Sequence, residues 1–340
     1  MIRIIGVLSF LLVFLFNQGN TNNQVTINGR ISGSNTPEKI FYSLPVNGVC
    51  FTYGYNDYWL IDKAIIDNTG SFEIKTEIEN PAFIRLLFND IPPFIIEPGK
   101  RYDLRIDSKS NDFSILAKDQ TVQLHELFHS WPMENPRRCD WIENISRDLK
   151  SFDFLRSELE KEIYQLNELL TNGLISDDLY KLVKLERKVY YAVAIGIISS
   201  DVVKSNIIEK KTIPVEFFNA WGESFDLIDI SDKNLIRTTL AYDLLDNYYW
   251  HKAYSIYGVE EFLENRRRSR EQGLIHTYTM SVAENIFNDE ILEFYKAGYI
   301  FFYLVQLQSD PELNLLLTNF VDNYPESNYL KFLPSILSEK

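Results

Sequence analysis

Alternating apolar and polar residues predict strands in the first third of the chain. From residue 24 to about residue 116, apolar side chains occupy every second position of short runs, as with Val25, Ile27 and Ile31. Turn residues separate these runs about every 8 to 12 positions, a spacing typical of antiparallel sandwiches. The pattern predicts an antiparallel β-sandwich of about eight strands over residues 24–116.

Two turn signals predict hairpins within this sandwich. The sequence Asp-Asn-Thr-Gly at residues 67–70 is a turn between two alternating runs, so we expect residues 59–66 to pair with residues 71–77. Pro98 and Gly99 mark a second turn, which predicts that residues 93–97 pair with the strand that follows.

The spacing changes after residue 118, where apolar residues recur at i, i+3, i+4 and i+7. Residues 119–338 therefore form a predicted all-α, repeat-like helical domain, with helix starts at Ser176, Pro214 and Pro311. We also expect one helix from Ser231 to Gly258 and a last helix starting at residues 324–325. The fold class is α+β, and the polar residues 107–118 are the predicted boundary.

The N-terminal residues have the pattern of a secretory leader. Arg3 precedes an apolar run over residues 4–16, and polar residues follow from Asn17. The run is shorter than the roughly 20 apolar residues that cross a bilayer. We therefore expect a signal peptide over residues 1–19, a periplasmic or secreted product, and no membrane span after cleavage.

Charge and composition narrow the classes of partner. The chain has 34 Lys and Arg against 48 Asp and Glu, a net charge of −14, which repels phosphate backbones. Apolar residues make up 45% of the chain, so it can bury a large core. The composition predicts a globular protein without a nucleic-acid partner.

The two cysteines, Cys50 and Cys139, allow two interpretations. They are far apart and form no C-x-x-C pair for thiol–disulfide exchange. In an oxidising compartment they could form one structural disulfide. They could equally be two small buried hydrophobic residues, because spacing alone does not bring their Cα atoms within bridging distance.

The most specific chemical motif is His125-Glu126-Leu127-Phe128-His129, an H-E-x-x-H sequence. On a helix the two imidazoles lie one turn apart and could hold Zn²⁺, while Glu126 activates a water molecule. The motif therefore gives the alternative of a zinc-dependent hydrolase, with His125 and His129 as metal ligands and Glu126 as the catalytic base.

The context of the motif favours two surface histidines instead. A helical wheel forms the apolar stripe from Leu124, Leu127, Phe128 and Trp131. Both histidines then fall on a predicted solvated flank. Pro132 ends the helix soon after His129. A third zinc ligand would have to come from a more distant part of the sequence, namely Cys139, Asp140, Glu143, His251 or His276. We therefore expect no metal cofactor, with zinc as the alternative.

Two further groups of residues have both a structural and a binding interpretation. Arginines at 266–268 and 270 lie one helical turn from glutamates at 260, 261, 264 and 271, which predicts ion pairs on a solvated helix. Aromatic residues at 248–250 and 299–303 have helical spacing inside apolar runs, which predicts a packed core. A tyrosine-rich groove that binds a ligand is the alternative for the aromatic groups.

Four segments resemble a known family. Residues 25–31 (VTINGRI), 66–74 (IDNTGSFEI), 94–100 (FIIEPGK) and 323–330 (NYPESNYL) are similar to the β-domain and helical region of exported Bacteroidota proteins related to TlpA-type thiol–disulfide oxidoreductases. In that family the activity resides in a C-terminal thioredoxin domain with a C-x-x-C pair. This sequence has no such pair, so no catalytic residue carries over. The resemblance implies a cell-envelope module beside a redox enzyme.

These observations predict a non-catalytic binding or scaffold protein of the cell envelope. We expect its partner to be a protein or a small molecule, and the resemblance suggests a thiol–disulfide redox or uptake system as its setting.

Overall fold

The computed structural model describes residues 23–33, 36–43, 62–88, 91–108, 113–116, 121–132, 136, 149–307 and 310–333. Within these residues β-sheets occupy the N-terminal part and helices follow, which confirms the α+β class. The predicted signal peptide (residues 1–19), Cys50 and Cys139 lie outside the described residues.

Eight described strands form two four-stranded sheets. They are β1 Gln24–Ser32, β2 Lys39–Ser43, β3 Asp62–Ile65, β4 Ser71–Glu77, β5 Ala82–Leu87, β6 Phe94–Ile96, β7 Arg101–Asp107 and β8 Phe113–Leu116. The first sheet has the order β4-β1-β7-β8, and the second has the order β3-β2-β5-β6. The first sheet is mixed because β1 and β7 run parallel, whereas the other strand pairs are antiparallel.

The alternating side chains of the two sheets form the core of the sandwich. Val25, Ile27 and Ile31 of β1 are buried, as are Tyr102 and Leu104 of β7. Because successive side chains of a strand point to opposite faces, this burial follows directly from the period-two pattern.

Both predicted hairpins are wrong in their pairing. β3 belongs to the second sheet and β4 to the first, so the turn at residues 67–70 connects the sheets instead of closing a hairpin. The same holds for β6 and β7 around Gly99. Asp67 stabilises the first connection, because its Oδ1 accepts hydrogen bonds from the backbone nitrogens of Thr69 and Ser71 at 2.8 and 2.9 Å.

Nine α-helices follow among the described residues. They are α1 Thr121–Ser130, α2 Leu149–Thr171, α3 Asp177–Ile208, α4 Val215–Glu223, α5 Ala241–Tyr257, α6 Val259–Glu271, α7 Ile275–Glu284, α8 Asp289–Leu307 and α9 Pro311–Asn323. Short 3₁₀ helices lie at Ser224–Leu227, Lys233–Arg237 and Leu330–Phe332.

Several predicted helix boundaries are confirmed and two are wrong. The Ser176 hydroxyl accepts a hydrogen bond from the backbone nitrogen of Leu179 and so caps α3, and Pro311 opens α9. The helix expected from Ser231 to Gly258 is instead a 3₁₀ helix followed by α5. The segment after Pro325 contains a 3₁₀ helix and no α-helix within the described residues up to 333.

The helical part packs against the outer face of the second sheet. Phe83 of β5 and Ile95 of β6 face away from the sandwich core and contact Leu124 and Phe128 of α1, together with residues of α2 and α3. The Arg237 guanidinium adds a hydrogen bond of 2.7 Å to the carbonyl of Pro81. Strands β5 and β6 of this sheet are therefore largely buried on both faces, whereas β3 at its edge is mostly exposed.

Helix α3 is the central helix of the α-helical part. Its 32 residues include an 18-residue window with a mean hydropathy of 1.3, so by length and composition it could cross a membrane. Within that window 56% is buried inside the protein, and α3 packs against α2, α4 and α5. Its apolar composition is that of a core helix.

Candidate functional site

The H-E-x-x-H motif lies on α1, between the second sheet and the helices, and the prediction that His125 is solvated is wrong. His125 is only 3% exposed, and its Nε2 lies 2.9 Å from the carbonyl oxygen of Ile95 in β6. This contact requires a proton on Nε2, which then cannot bind a metal ion through that atom. The apolar stripe is buried as predicted, but α1 is covered on two sides instead of one.

His129 is half-buried, and its ring centroid lies 6.2 Å from that of His125. Burial and, to a lesser extent, the nearby His125 lower the pKa of His129 from 6.5 to about 4, although a hydrogen bond with the Pro93 backbone opposes this shift. Glu126 is exposed to solvent on another side of the helix. The structure thus places the two imidazoles near each other, but it does not bring Glu126 to them. Of the suggested third ligands, Cys139, Asp140 and Glu143 lie outside the described residues.

The two aromatic segments are mainly core residues, as predicted. Tyr249, Tyr299 and Phe301 are 1 to 3% exposed and belong to the largest apolar cluster of the helical part. These side chains therefore cannot line an open tyrosine groove. Tyr248 differs because it is half-buried and faces a pocket.

The basic run on α6 makes the expected ion pairs at two of its residues. Arg267 and Arg268 contact Glu264 at 2.8 and 2.7 Å, and Arg267 also contacts Glu271. Arg266 instead turns toward the core, where it donates a hydrogen bond of 2.9 Å to the Thr279 hydroxyl and lies over the Trp250 ring.

A pocket of about 680 Å³ opens between the α4–α5 connection and the turn that joins α7 to α8. We call it the α5 pocket. Residues 222–233 form one side, residues 286–291 form the other, and α5 contributes residues from one turn. Its volume is in the range of pockets that hold small ligands, roughly 300 to 1,000 Å³.

Three aromatic rings form a continuous wall of the α5 pocket. Phe225 and Tyr248 meet edge to face with ring centroids 5.0 Å apart, and Tyr248 and Phe287 are 6.0 Å apart. Buried Ile228 and Ile291 complete the apolar floor. Such a surface can take up an aromatic or aliphatic group from water.

His251 of α5 lines the α5 pocket. Its ring packs against Phe218 and Trp221, and burial lowers its pKa from 6.5 to about 4, so the imidazole is neutral at pH 7. A hydrogen bond to the Phe218 carbonyl opposes this shift. The buried Nδ1 atom has no hydrogen-bond partner among the described residues.

Gly222 makes the close approach of His251 to α4 possible. A Cβ atom at position 222 would lie 2.9 Å from Cε1 of the imidazole and 3.0 Å from its Nε2. Only glycine therefore fits here without displacement of the His251 ring.

The rim of the α5 pocket is acidic and exposed. Four carboxylates, of Asp226, Asp229, Asp289 and Glu290, outnumber the two ammonium groups, of Lys233 and Lys252. Asp289 has a positive φ of 45°, which is uncommon for a residue other than glycine and is best tolerated by Asn and Asp. The excess of carboxylates favours a cationic ligand.

A second group of polar residues brings possible metal ligands together. Among the residues that the structure describes, His276, Asp310 and Glu312 are the one set of three whose ligand atoms lie within 4.8 Å of one another. The sequence motif His125–His129 is not part of it. The sequence analysis names His276 only as a distant third ligand for that motif, and it does not connect Asp310 or Glu312 with a metal ion.

The pocket and this acidic group were both missed by sequence reasoning. The weak signal for the pocket is the segment 226–233, where three aspartates interrupt an otherwise helical pattern. Nothing in the sequence shows that residues 286–291 lie opposite that segment.

Comparisons with protein-family models, with curated proteins and with solved structures find no match to this chain. The described architecture is a β-sandwich in which β5 and β6 of the second sheet pack against the helical part.

Proposed function

We propose that this chain is a non-catalytic binding protein of the cell envelope, and that the α5 pocket holds its ligand. The observation that carries the proposal is the combination of an aromatic wall, a neutral imidazole and an acidic rim around one cavity. The cell-envelope location rests on the leader pattern of residues 1–19 and on the resemblance to exported Bacteroidota proteins.

The chemistry of the α5 pocket favours a peptide segment with an aromatic and a cationic residue. The rings of Phe225, Tyr248 and Phe287 would pack against the aromatic group, and Asp289 and Glu290 would attract the positive charge. His251 lines the same cavity as a neutral imidazole, so it adds no positive charge that would repel the cationic residue.

The pKa of His251 supports binding over proton transfer. A general base works best when its pKa is near the working pH, whereas His251 has a pKa of about 4. A neutral, fixed imidazole serves better as part of the surface that binds a cationic ligand.

Isothermal titration calorimetry with two matched probes tests this proposal. We expect N-acetyl-Phe-Arg-amide to bind at low ionic strength and to bind more weakly as salt is added, because the rim charges are exposed. N-acetyl-Phe-Glu-amide, which differs in the sign of its charge, should not bind. Equal binding of the two probes, or binding of neither, would contradict the proposal.

Variants of the rim and wall then locate the site. Asp289→Asn combined with Glu290→Gln should weaken binding of the arginine probe by at least about tenfold. Asp322→Asn combined with Glu326→Gln removes the same number of charges at and just after the end of α9, away from the pocket, and should leave the affinity unchanged. Tyr248→Leu should weaken the binding of the arginine probe and also of N-acetyl-Phe-amide, which has the same aromatic group but no charge.

A further inference from the structure

His276, Asp310 and Glu312 come from two helix starts that lie side by side. His276 is in the first turn of α7, Asp310 is the N-cap of α9, and Glu312 is in the first turn of α9. Their nearest ligand atoms all lie within 4.8 Å of one another. None of the three residues lines the α5 pocket.

The His276 ring is buried and held in one orientation. The residue is 4% exposed, and its Nδ1 lies 2.7 Å from the Tyr299 hydroxyl. If Nδ1 carries the proton and donates it to Tyr299, Nε2 presents a lone pair. Metal-binding histidines commonly have such a partner on the second nitrogen, because it fixes both the tautomer and the ring.

The distance between His276 and Asp310 fits two ligands of one ion. Nε2 of His276 lies 3.5 Å from Oδ2 of Asp310, which is long for a charge-assisted hydrogen bond. Two ligands at about 2.0 to 2.1 Å from a tetrahedral Zn²⁺ are separated by roughly 3.3 Å. A small adjustment would therefore bring both atoms into coordination.

Each carboxylate has one oxygen in a structural role and retains a second one. Oδ1 of Asp310 accepts hydrogen bonds from the backbone nitrogens of Glu312 and Leu313 at 2.8 and 3.3 Å. Oε1 of Glu312 accepts from the backbone nitrogen of Thr277 at 2.5 Å. These bonds hold both side chains in place before any ion binds, which is the preorganisation that a binding site needs.

We propose that His276, Asp310 and Glu312 form a binding site for one Zn²⁺ ion, with water as the fourth ligand. One imidazole and two carboxylates suit zinc better than Mg²⁺ or Ca²⁺, which prefer oxygen ligands alone. The ion would join the starts of α7 and α9. Asp310 and Glu312 favour a cation at His276, whereas Arg266 opposes one.

Calorimetric titration of the chelator-treated full chain with ZnCl₂ tests the site. We expect one Zn²⁺ per chain, together with a rise in the thermal unfolding temperature. Asp310→Asn is the sharpest variant, because asparagine caps a helix as well as aspartate but is a poor zinc ligand. It should weaken zinc binding by at least tenfold, as should His276→Gln. Far-UV circular dichroism confirms that each variant is folded.

His129→Gln is the matched control, because it removes a histidine of the other candidate motif. It should leave both the stoichiometry and the affinity unchanged. Loss of zinc binding in His129→Gln but not in Asp310→Asn would overturn the proposal and place the ion at the H-E-x-x-H motif. The proposal is also overturned if no zinc binds, or if all three variants bind it as tightly as the unmodified chain; His276 and Asp310 would then form only a contact between helices.

Discussion

Arg187 of α3 and Glu162 of α2 form a bidentate ion pair that is buried in the helical part. Nε of Arg187 lies 2.5 Å from Oε2 of Glu162, and Nη2 lies 3.0 Å from Oε1. The side chains are 1% and 6% exposed. Arg187 also donates to the carbonyl of Pro132 at 2.9 Å, and the Tyr191 hydroxyl donates to Glu162 at 2.8 Å. The pair therefore joins the segment after α1 to the two longest described helices.

Replacement of one partner should destabilise the protein strongly. We expect Arg187→Met to lower the free energy of unfolding by about 3 to 5 kcal/mol, because Glu162 is then left charged and buried without its partner. Urea denaturation followed by circular dichroism measures the change.

The exposed pair between Arg156 and Glu223 is the matched control. Its atoms are also 3.0 Å apart, but its side chains are 40% and 56% exposed. Arg156→Met should therefore cost less than about 1 kcal/mol. Equal losses in the two variants would show that burial of the Arg187 pair has no energetic consequence.

Gly29 and Phe72 are cross-strand partners in the first sheet, and the phenylalanine ring covers the glycine. A Cβ atom at position 29 would lie 1.9 Å from Cζ of Phe72. We expect Gly29→Ala to destabilise the sandwich by about 1 to 3 kcal/mol through overpacking. In a Phe72→Leu background the same glycine change should cost much less. The losses in free energy of unfolding should therefore be non-additive in a double-mutant cycle measured by urea denaturation. Additive losses would contradict this account.

The strands of the sandwich could be predicted from the sequence, but their partners could not. Period-two alternation identifies which residues face the core, and Ile74 and Leu104 are buried accordingly. A turn such as residues 67–70 can close a hairpin or connect two sheets, because its local hydrogen bonds are the same in both. The choice depends on which strand is already paired, and β1 lies between β4 and β7.

The candidate sites depend on contacts between residues that are distant in the sequence, and the local sequence pattern does not predict such contacts. The helical wheel of α1 predicts the buried stripe correctly, yet it assumes a single buried side, and the second sheet covers His125 as well. His251 lies in an apolar helix like any core residue. Its role as a pocket residue follows from Gly222, which is distant in sequence and admits the ring.

The contact between His125 and β6 predicts a structural role for this histidine. His125→Phe should lower the free energy of unfolding by about 1 to 3 kcal/mol, because the Ile95 carbonyl oxygen loses the hydrogen bond that it accepts from the imidazole. Glu126→Gln, which changes the exposed neighbour, should have an effect within about 0.5 kcal/mol. The alternative of a zinc-dependent hydrolase gives a different result, in which Glu126→Gln abolishes a peptidase activity that the unmodified chain possesses. Assays of unfolding and of peptide hydrolysis on the same samples distinguish the two.

Acid should destabilise the protein through its buried histidines. His129 and His251 have a pKa of about 4 in the folded protein, against 6.5 when unperturbed. Between these values the unfolded chain binds more protons than the folded one, so the free energy of unfolding falls as the pH decreases from 6.5 to 4. Above pH 6.5 both states are neutral at these positions, and the contribution is fully present. We expect the urea midpoint, measured in the presence of a chelator, to decrease over this window, and to decrease less steeply in His251→Asn and His129→Asn. The carboxylates titrate equally in all three proteins, so an unchanged slope in both variants would show that these imidazoles do not cause the acid sensitivity.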